Sequence, residues 1–148
     1  MVREGPRILL GLKKRGFGEG RWNGFGGKVE AGEAIEAAAR RELEEETGIV
    51  PQGLEKRGIL EFAFLGEPEI LEVHVFSTNS FEGEPRESEE MRPEWFHVEK
   101  IPYESMWPDD RLWLPLLLAG KNFGGKFVFD GHSTILDFDL REEPVYVL

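Results

Sequence analysis

Three glutamates in one helical segment are the first residues with chemistry to offer. Glu42, Glu45 and Glu46 stand at spacings of three and four. At about 100° per residue, such positions share one side of a helix, so their carboxylates form a single patch. Exposed like-charge pairs at this spacing cost only ~0.2–0.5 kcal/mol each. The penalty grows near the edge of a core, where the dielectric is lower, and a bound cation cancels it. Mg²⁺ is the hard cation suited to carboxylate and phosphate oxygens. Just upstream, residues 13–28 hold five basic residues and six glycines in sixteen positions. Glycine lets a backbone approach a ligand closely, and the local positive charge is opposite to that of the rest of the chain, so an anion belongs there. A metal platform after an anion-binding loop is equipment for cutting phosphoanhydrides. Taken alone, the three glutamates read more plainly as a solvated helix face; the surrounding pattern reverses that judgement.

The elements that must position these groups follow from patterning. A helix is predicted from about Glu33 to Thr47, rich in Ala, Glu, Arg and Leu. Ile35, Ala38, Ala39 and Leu43 form its apolar stripe toward the core. Gly48 stands where a helix commonly ends in a left-handed residue. Glu36/Arg40 and Arg41/Glu45 are supporting i,i+4 pairs. Ile8 to Leu12 reads as a short strand ahead of the basic loop. After Pro51 the period becomes two: Leu60, Phe62 and Phe64 alternate with their neighbours, as do Leu71, Val73 and Val75, around a turn at Gly66-Glu67-Pro68. This predicts a hairpin. Phe81 to Glu90 is polar and acidic, hence a loop, and Pro93 to Val98 is a strand. Met106 to Asp110 leads into a helix from about Arg111 to Ala119, which an Asp of that run could cap. A last hairpin turns at Asp130-Gly131. Met1 to Pro6 shows no alternation and is expected to supply no strand. With no repeat or linker, one mixed α/β domain over 1–148 is expected.

Composition narrows the function. The 148 residues are 40% hydrophobic and 32% charged, with 18 Lys+Arg against 29 Asp+Glu, a net charge of −11. So acidic a chain is a poor partner for a nucleic-acid polymer or an anionic membrane. The absence of cysteine removes disulfides, thiolate metal sites and cysteine nucleophiles. No apolar run approaches the ~20 residues of a spanning helix, so a soluble intracellular protein is expected. His74, His97 and His132 have no metal-ligand spacing and read as structural or solvent-facing.

From Gly27 the chain runs Gly27-x5-Glu33-x7-Arg41-Glu42-Leu43-x-Glu45-Glu46-x-Gly48-Ile49. This resembles the signature box of the Nudix hydrolases at every defined position. The resemblance implies an α/β/α sandwich with a mixed central sheet, in which the box forms a loop–helix–loop. It implies a Mg²⁺-dependent hydrolase (Mn²⁺ as a substitute) of nucleoside diphosphates linked to another group. Glu42, Glu45 and Glu46 would bind the metal, the Gly26 carbonyl would complete the shell, and Arg41 would orient the glutamates.

Longer runs, among them Gly20-Arg21-Trp22-Asn23-Gly24-Phe25-Gly26-Gly27-Lys28-Val29, Glu90-Met91-Arg92-Pro93 and Met106-Trp107-Pro108-Asp109-Asp110, are similar to the animal branch of the family that acts on oxidised purine nucleoside triphosphates. That branch implies hydrolysis of substrates such as 8-oxo-dGTP and 2-hydroxy-dATP to monophosphate and pyrophosphate, a sanitising of the nucleotide pool. By resemblance, Asn23, Asp109 and Asp110 would hydrogen-bond the base edge, and Trp107 would stack on the base. Phe17, Phe62, Phe64, Leu71, Trp113 and Phe129 would wall the pocket. Lys13 would reach sugar or phosphate, and Glu90 would join Glu42, Glu45 and Glu46 as a metal ligand, with Glu46 or Glu90 as base. Adjacent Asp109 and Asp110 are unlike two ordinary carboxylates, because close carboxyls beside aromatics do not both ionise. One would donate while the other accepts, matching either a guanine-like or an altered adenine edge. The alternatives are a Nudix hydrolase of another nucleotide (a methylated purine triphosphate or a dinucleotide) and a weakly active nucleotide binder lacking the family's first strand. A monomer is expected, with a small nucleotide as its partner, in the cytoplasm or serving nuclear or mitochondrial pools.

Overall fold

The apolar run Ile8-Leu9-Leu10 is fully buried at the centre of a four-stranded antiparallel sheet. In the computed structural model, which describes residues 1–144, this sheet belongs to the first of two compact units, formed by Met1–Glu55 with Phe76–Ser105. Its strands are β1 (Val2–Glu4), β2 (Arg7–Lys13), β3 (Trp22–Asn23) and, after the elements below, β8 (Met91–His97). β2 is the organising strand. It pairs with β8 along its whole length, from Arg7↔His97 to Lys13↔Met91, and shares its other edge between β1 and β3. α1 (Ile35–Thr47), β4 (Val50–Pro51) and β7 (Phe81–Glu82) complete the unit, β4 pairing with β7. Val2, Leu9, Leu43 and Ile49 form a buried cluster, with Phe25, Phe81 and Trp95 packed against it.

Two expectations about this unit are corrected. Val2–Glu4 is a strand after all, with Val2 opposite Leu9 and 1% exposed. Three residues are too few to show a period; the strand is one arm of a tight hairpin with β2, turned at Gly5-Pro6, where Gly5 adopts φ +55°. The reading of a binder weakened by a missing first strand therefore loses its motive. Ile35 is exposed, while Ala38 and Leu43 are buried; it sits at the first helical position, where the stripe has not yet reached the core. α1 ends as expected: Gly48 adopts φ +80° and its N–H donates to the Glu44 carbonyl at 2.8 Å.

The second unit, formed by residues 56–75 and 106–144 of those described, carries a mixed sheet in the order β10-β9-β5-β6. These strands are β5 (Glu55–Phe64), β6 (Ile70–Ser77), β9 (Asn122–Asp130) and β10 (Thr134–Glu143). β5 and β9 run parallel, from Gly58↔Phe123 to Phe64↔Phe129, and β9 and β10 form the final antiparallel hairpin with a bulge between Ile135 and Asp137. α2 (Asp110–Leu118) packs on β9, where Trp113 and Phe123 lie 5.4 Å apart. The parallel register places Phe62 against Phe127 and Phe64 against Phe129, ring centroids 5.6 Å apart in both pairs. Phe127 also stacks on Phe138 at 5.8 Å. The alternation at Phe62 and Phe64 thus builds one aromatic sheet face.

Buried Arg57 on β5 closes the C-terminal end of α2. Its guanidinium donates to the carbonyls of Leu117 (3.2 Å) and Lys121 (2.8 Å) and to Asn122 Oδ1 (2.9 Å). A cation is favoured at the negative end of a helix, where the last carbonyls are not all satisfied by i,i+4 bonds. Arg57→Ala is expected to destabilise the fold by about 2–4 kcal/mol through loss of charge-assisted bonds to buried groups; denaturant unfolding monitored by circular dichroism measures it.

Candidate active site

Arg41 organises the acidic face of α1. Its guanidinium donates to both oxygens of Glu33 (2.8 and 3.1 Å), to Glu42 Oε1 (2.9 Å), to Glu45 Oε2 (3.3 Å) and to the Lys28 carbonyl (3.2 Å). The planar fork thereby ties the helix to the Gly-rich loop. These partners push the Arg41 pKa up, Glu33 first and Glu42 next, and the Arg41 bond holds Glu33 below the usual carboxylate range. The loop backbone comes so close at Gly27 that a Cβ there would stand 2.5–2.8 Å from the Glu42 carboxylate. Only glycine fits.

Glu46 turns inward. It is 6% exposed, and the Gly26 N–H donates to its Oε1 at 2.8 Å. Burial pushes its carboxyl up to about 7, the Gly26 bond opposes this, Glu42 and Glu90 raise it further, and Lys13 lowers it. Glu90 arrives from the segment before β8, which the basic end of β2 fastens down. Lys13 Nζ lies 3.5 Å from Glu90 Oε2, Arg15 pairs with Glu89 and Glu90, and Lys14 donates to the Ser88 carbonyl at 2.9 Å. The result is an open cleft of about 480 Å³, lined by Lys13, Arg15, Gly26, Gly27, Glu42, Glu45, Glu46, Ser88, Glu89 and Glu90. This donor set, crowded carboxylates under a glycine backbone, has the chemistry of a hard divalent cation site. Among the described residues no three acidic or imidazole side chains stand in finished coordination geometry; Arg41 occupies Glu42 and Glu45 instead.

The second unit holds a different kind of site. Asp109 and Asp110 are both buried, 3% and 8% exposed, at the start of α2. Asp109 makes no cap hydrogen bond to the helix backbone; its Oδ2 accepts the Trp113 indole N–H at 2.8 Å. The capping role therefore does not hold for Asp109. Burial, then the charge of Asp109 and a hydrogen bond with it, push the Asp110 carboxyl well above the ordinary range. Asp110 keeps a proton where an exposed aspartate has lost it. Trp107, two residues before Asp109, lies edge-on to Phe129 at 6.1 Å and against His132 at 5.2 Å.

A family model described as the NUDIX domain matches residues 1–117. The chain belongs to the Nudix family. Oxidized purine nucleoside triphosphate hydrolases from Danio rerio and Mus musculus are 55% and 54% identical to it over 142 residues, 96% of this chain and 91% of each relative. A crystal structure of a MutT protein from Bacillus halodurans shares the fold with a TM-score of 0.84 at 29% identity, covering 97% of this chain and 95% of that one. The α/β architecture with a mixed sheet and the box helix α1 are those of a Nudix hydrolase, so the chain is a hydrolytic enzyme. Nudix hydrolases generally use a divalent metal, typically Mg²⁺. No helix among the described residues is long and apolar enough to cross a membrane.

The residues singled out in the sequence gather in two sets. Within the first unit, Gly26, Glu42, Glu45, Glu46, Glu90 and Lys13 line one cleft. Asn23 lies on β3 with its Nδ2 donating to the Arg21 carbonyl at 2.8 Å, and Phe17 is exposed on the loop. Within the second, Phe62, Phe64, Phe129 and Trp107 share aromatic contacts and Trp113 joins Asp109. Leu71 on β6 is 38% exposed. His132, read from sequence as structural or solvent-facing, stands in the aromatic set; only the turn at Asp130-Gly131 hinted that it folds back.

The raised Asp110 pKa carries a stability signature. The folded state holds a proton that the unfolded state releases above about pH 4, so stability falls as pH rises from there through the folded-state pKa. Asp110→Asn removes this slope. The variant is expected to gain stability relative to the parent as pH rises across that window, as measured by paired thermal melts.

Proposed function

We propose that this chain hydrolyses oxidised purine nucleoside triphosphates, of the 8-oxo-dGTP and 2-hydroxy-dATP type, to the monophosphate and pyrophosphate. The observation that carries the substrate class is the buried Asp109–Asp110 pair beside Trp107, with one carboxyl kept protonated. A neutral carboxyl donates while its ionised neighbour accepts, so the pair matches a purine edge that mixes donors and acceptors. Moving the proton between them matches the altered adenine edge as well. The names of the Danio rerio and Mus musculus relatives agree with this reading.

Glu42, Glu45, Glu46 and Glu90, with the Gly26 carbonyl, would hold Mg²⁺ or, in its place, Mn²⁺. Bound there, the ion would neutralise phosphate charge and render a water acidic. Lys13 and Arg15, on the same cleft, attract the triphosphate. Arg41 keeps Glu42 and Glu45 oriented and does not touch substrate. Glu46 or Glu90 takes the proton from the attacking water. Glu46 is fixed for this by the Gly26 N–H on Oε1, which leaves its carboxylate one defined orientation. Attack at an internal phosphorus releases pyrophosphate as the leaving group. Trp107 offers the stacking face, worth about 1–3 kcal/mol per base, and Asn23 adds a group that both donates and accepts.

The decisive assay is a panel of oxidised, methylated and unmodified nucleoside triphosphates and dinucleotides with Mg²⁺, separating pyrophosphate from phosphate. Oxidised purines are expected to be preferred, with pyrophosphate as product; a preference for a dinucleotide or a methylated purine overturns the proposal. Glu46→Gln is expected to reduce turnover by at least ~100-fold in steady-state kinetics on the preferred substrate, with the fold retained.

A further inference from the structure

Trp107 stands outside any strand or helix of the second unit. It lies between the short helical turn at Tyr103–Ser105 and α2. A stacking face is useful only if its plane is fixed before the ligand arrives. Two rings do this. Phe129, at the end of β9, meets the indole edge-on at 6.1 Å and 90°. His132 meets it at 5.2 Å and 52°.

His132 reaches that place because the β9–β10 turn folds back on the aromatic face. Gly131, at φ +65°, makes the reversal. On its other side the imidazole stands edge-on to Phe64, 5.8 Å away and at 73°. Phe64 is itself stacked on Phe129 at 5.6 Å, and the Leu65 N–H donates to the Phe129 carbonyl at 2.8 Å, so this wall is anchored by the sheet. Trp107, Phe129, Phe64 and His132 form a closed circuit of four rings. His132 is its member on a turn. An exposed position at the rim of such a circuit suits imidazole, which gives a flat face for packing against its neighbours.

We propose that His132 is a positioning residue for base recognition: wedged against Trp107 and Phe64 from the β9–β10 turn, it holds the Trp107 indole in the plane that stacks on the purine. This rests on the reading of Trp107 as the stacking face. The residue acts on binding through Trp107 and takes no part in the cleavage step.

The test compares steady-state kinetics of His132→Ala, His132→Phe and Trp107→Ala on 8-oxo-dGTP with Mg²⁺. His132→Ala is expected to raise KM about three- to tenfold, the scale of one aromatic contact, with the loss falling on KM and not on kcat. His132→Phe keeps the ring without the nitrogens and is expected to restore KM. An exposed turn residue should leave the thermal midpoint of the Ala variant close to that of the parent, which separates positioning from folding. An unchanged KM in His132→Ala, a loss confined to kcat, or failure of His132→Phe to rescue overturns the proposal. Trp107→Ala separates the two levels. If it raises KM and His132→Ala does not, the positioning role alone falls; if it leaves KM unchanged, the base-stacking reading falls and this proposal with it.

Discussion

The guanidinium of Arg41 is the interaction on which the acidic cleft of the first unit depends. Five glutamates, Glu42, Glu45, Glu46, Glu89 and Glu90, line one cleft in a chain already carrying a net charge of −11. Left alone they would repel and turn to solvent. Arg41 reaches Glu33, Glu42, Glu45 and the Lys28 carbonyl at once, and so converts a repelling row into a fixed one. Lysine has the charge but not the planar fork. The same logic explains why the basic residues of the loop are retained so close together. Lys13, Lys14 and Arg15 hold down the segment that carries Glu90, and Lys13 lowers the Glu46 pKa against the pull of burial.

The second unit solves a different electrostatic problem. Two carboxyls are buried side by side, where burying two charges would be costly. Burial and the neighbouring Asp109 charge push the Asp110 carboxyl up, toward its neutral form, and Asp109 takes the Trp113 indole N–H. A proton shared within such a pair is a chemical choice that a single side chain cannot offer.

How much of this could be read from sequence depends on distance along the chain. The glutamates of α1, the i,i+4 pairs and the Gly48 terminus are local, and they stand where the helical period puts them. The final hairpin and the alternation at Phe62 and Phe64 were legible for the same reason. β1 was not, because Val2–Glu4 is defined by pairing with β2 and not by its own pattern. Asp109 looked like a cap, since Asp before a helix usually is one; its partner Trp113 is only one turn away, but indole is not a partner that local rules anticipate. His132 is exposed, as read, but its ring contacts were not legible, because Trp107 and Phe64 are brought to it by the sheet. Leu71 was named from resemblance, and its exposure on β6 follows from no pattern in the strand itself.

The parallel pairing of β5 with β9 has a consequence for how the chain is made. Gly58–Phe64 waits for Phe123–Phe129, which emerge from the ribosome only after the whole of β6, β8 and α2. Until then β5 presents Phe62 and Phe64 without their stacking partners, and so distant a pairing forms slowly. Between those two points the nascent protein carries a sticky aromatic strip uncovered, so its production is most vulnerable to aggregation when elongation stalls just short of the β9–β10 hairpin.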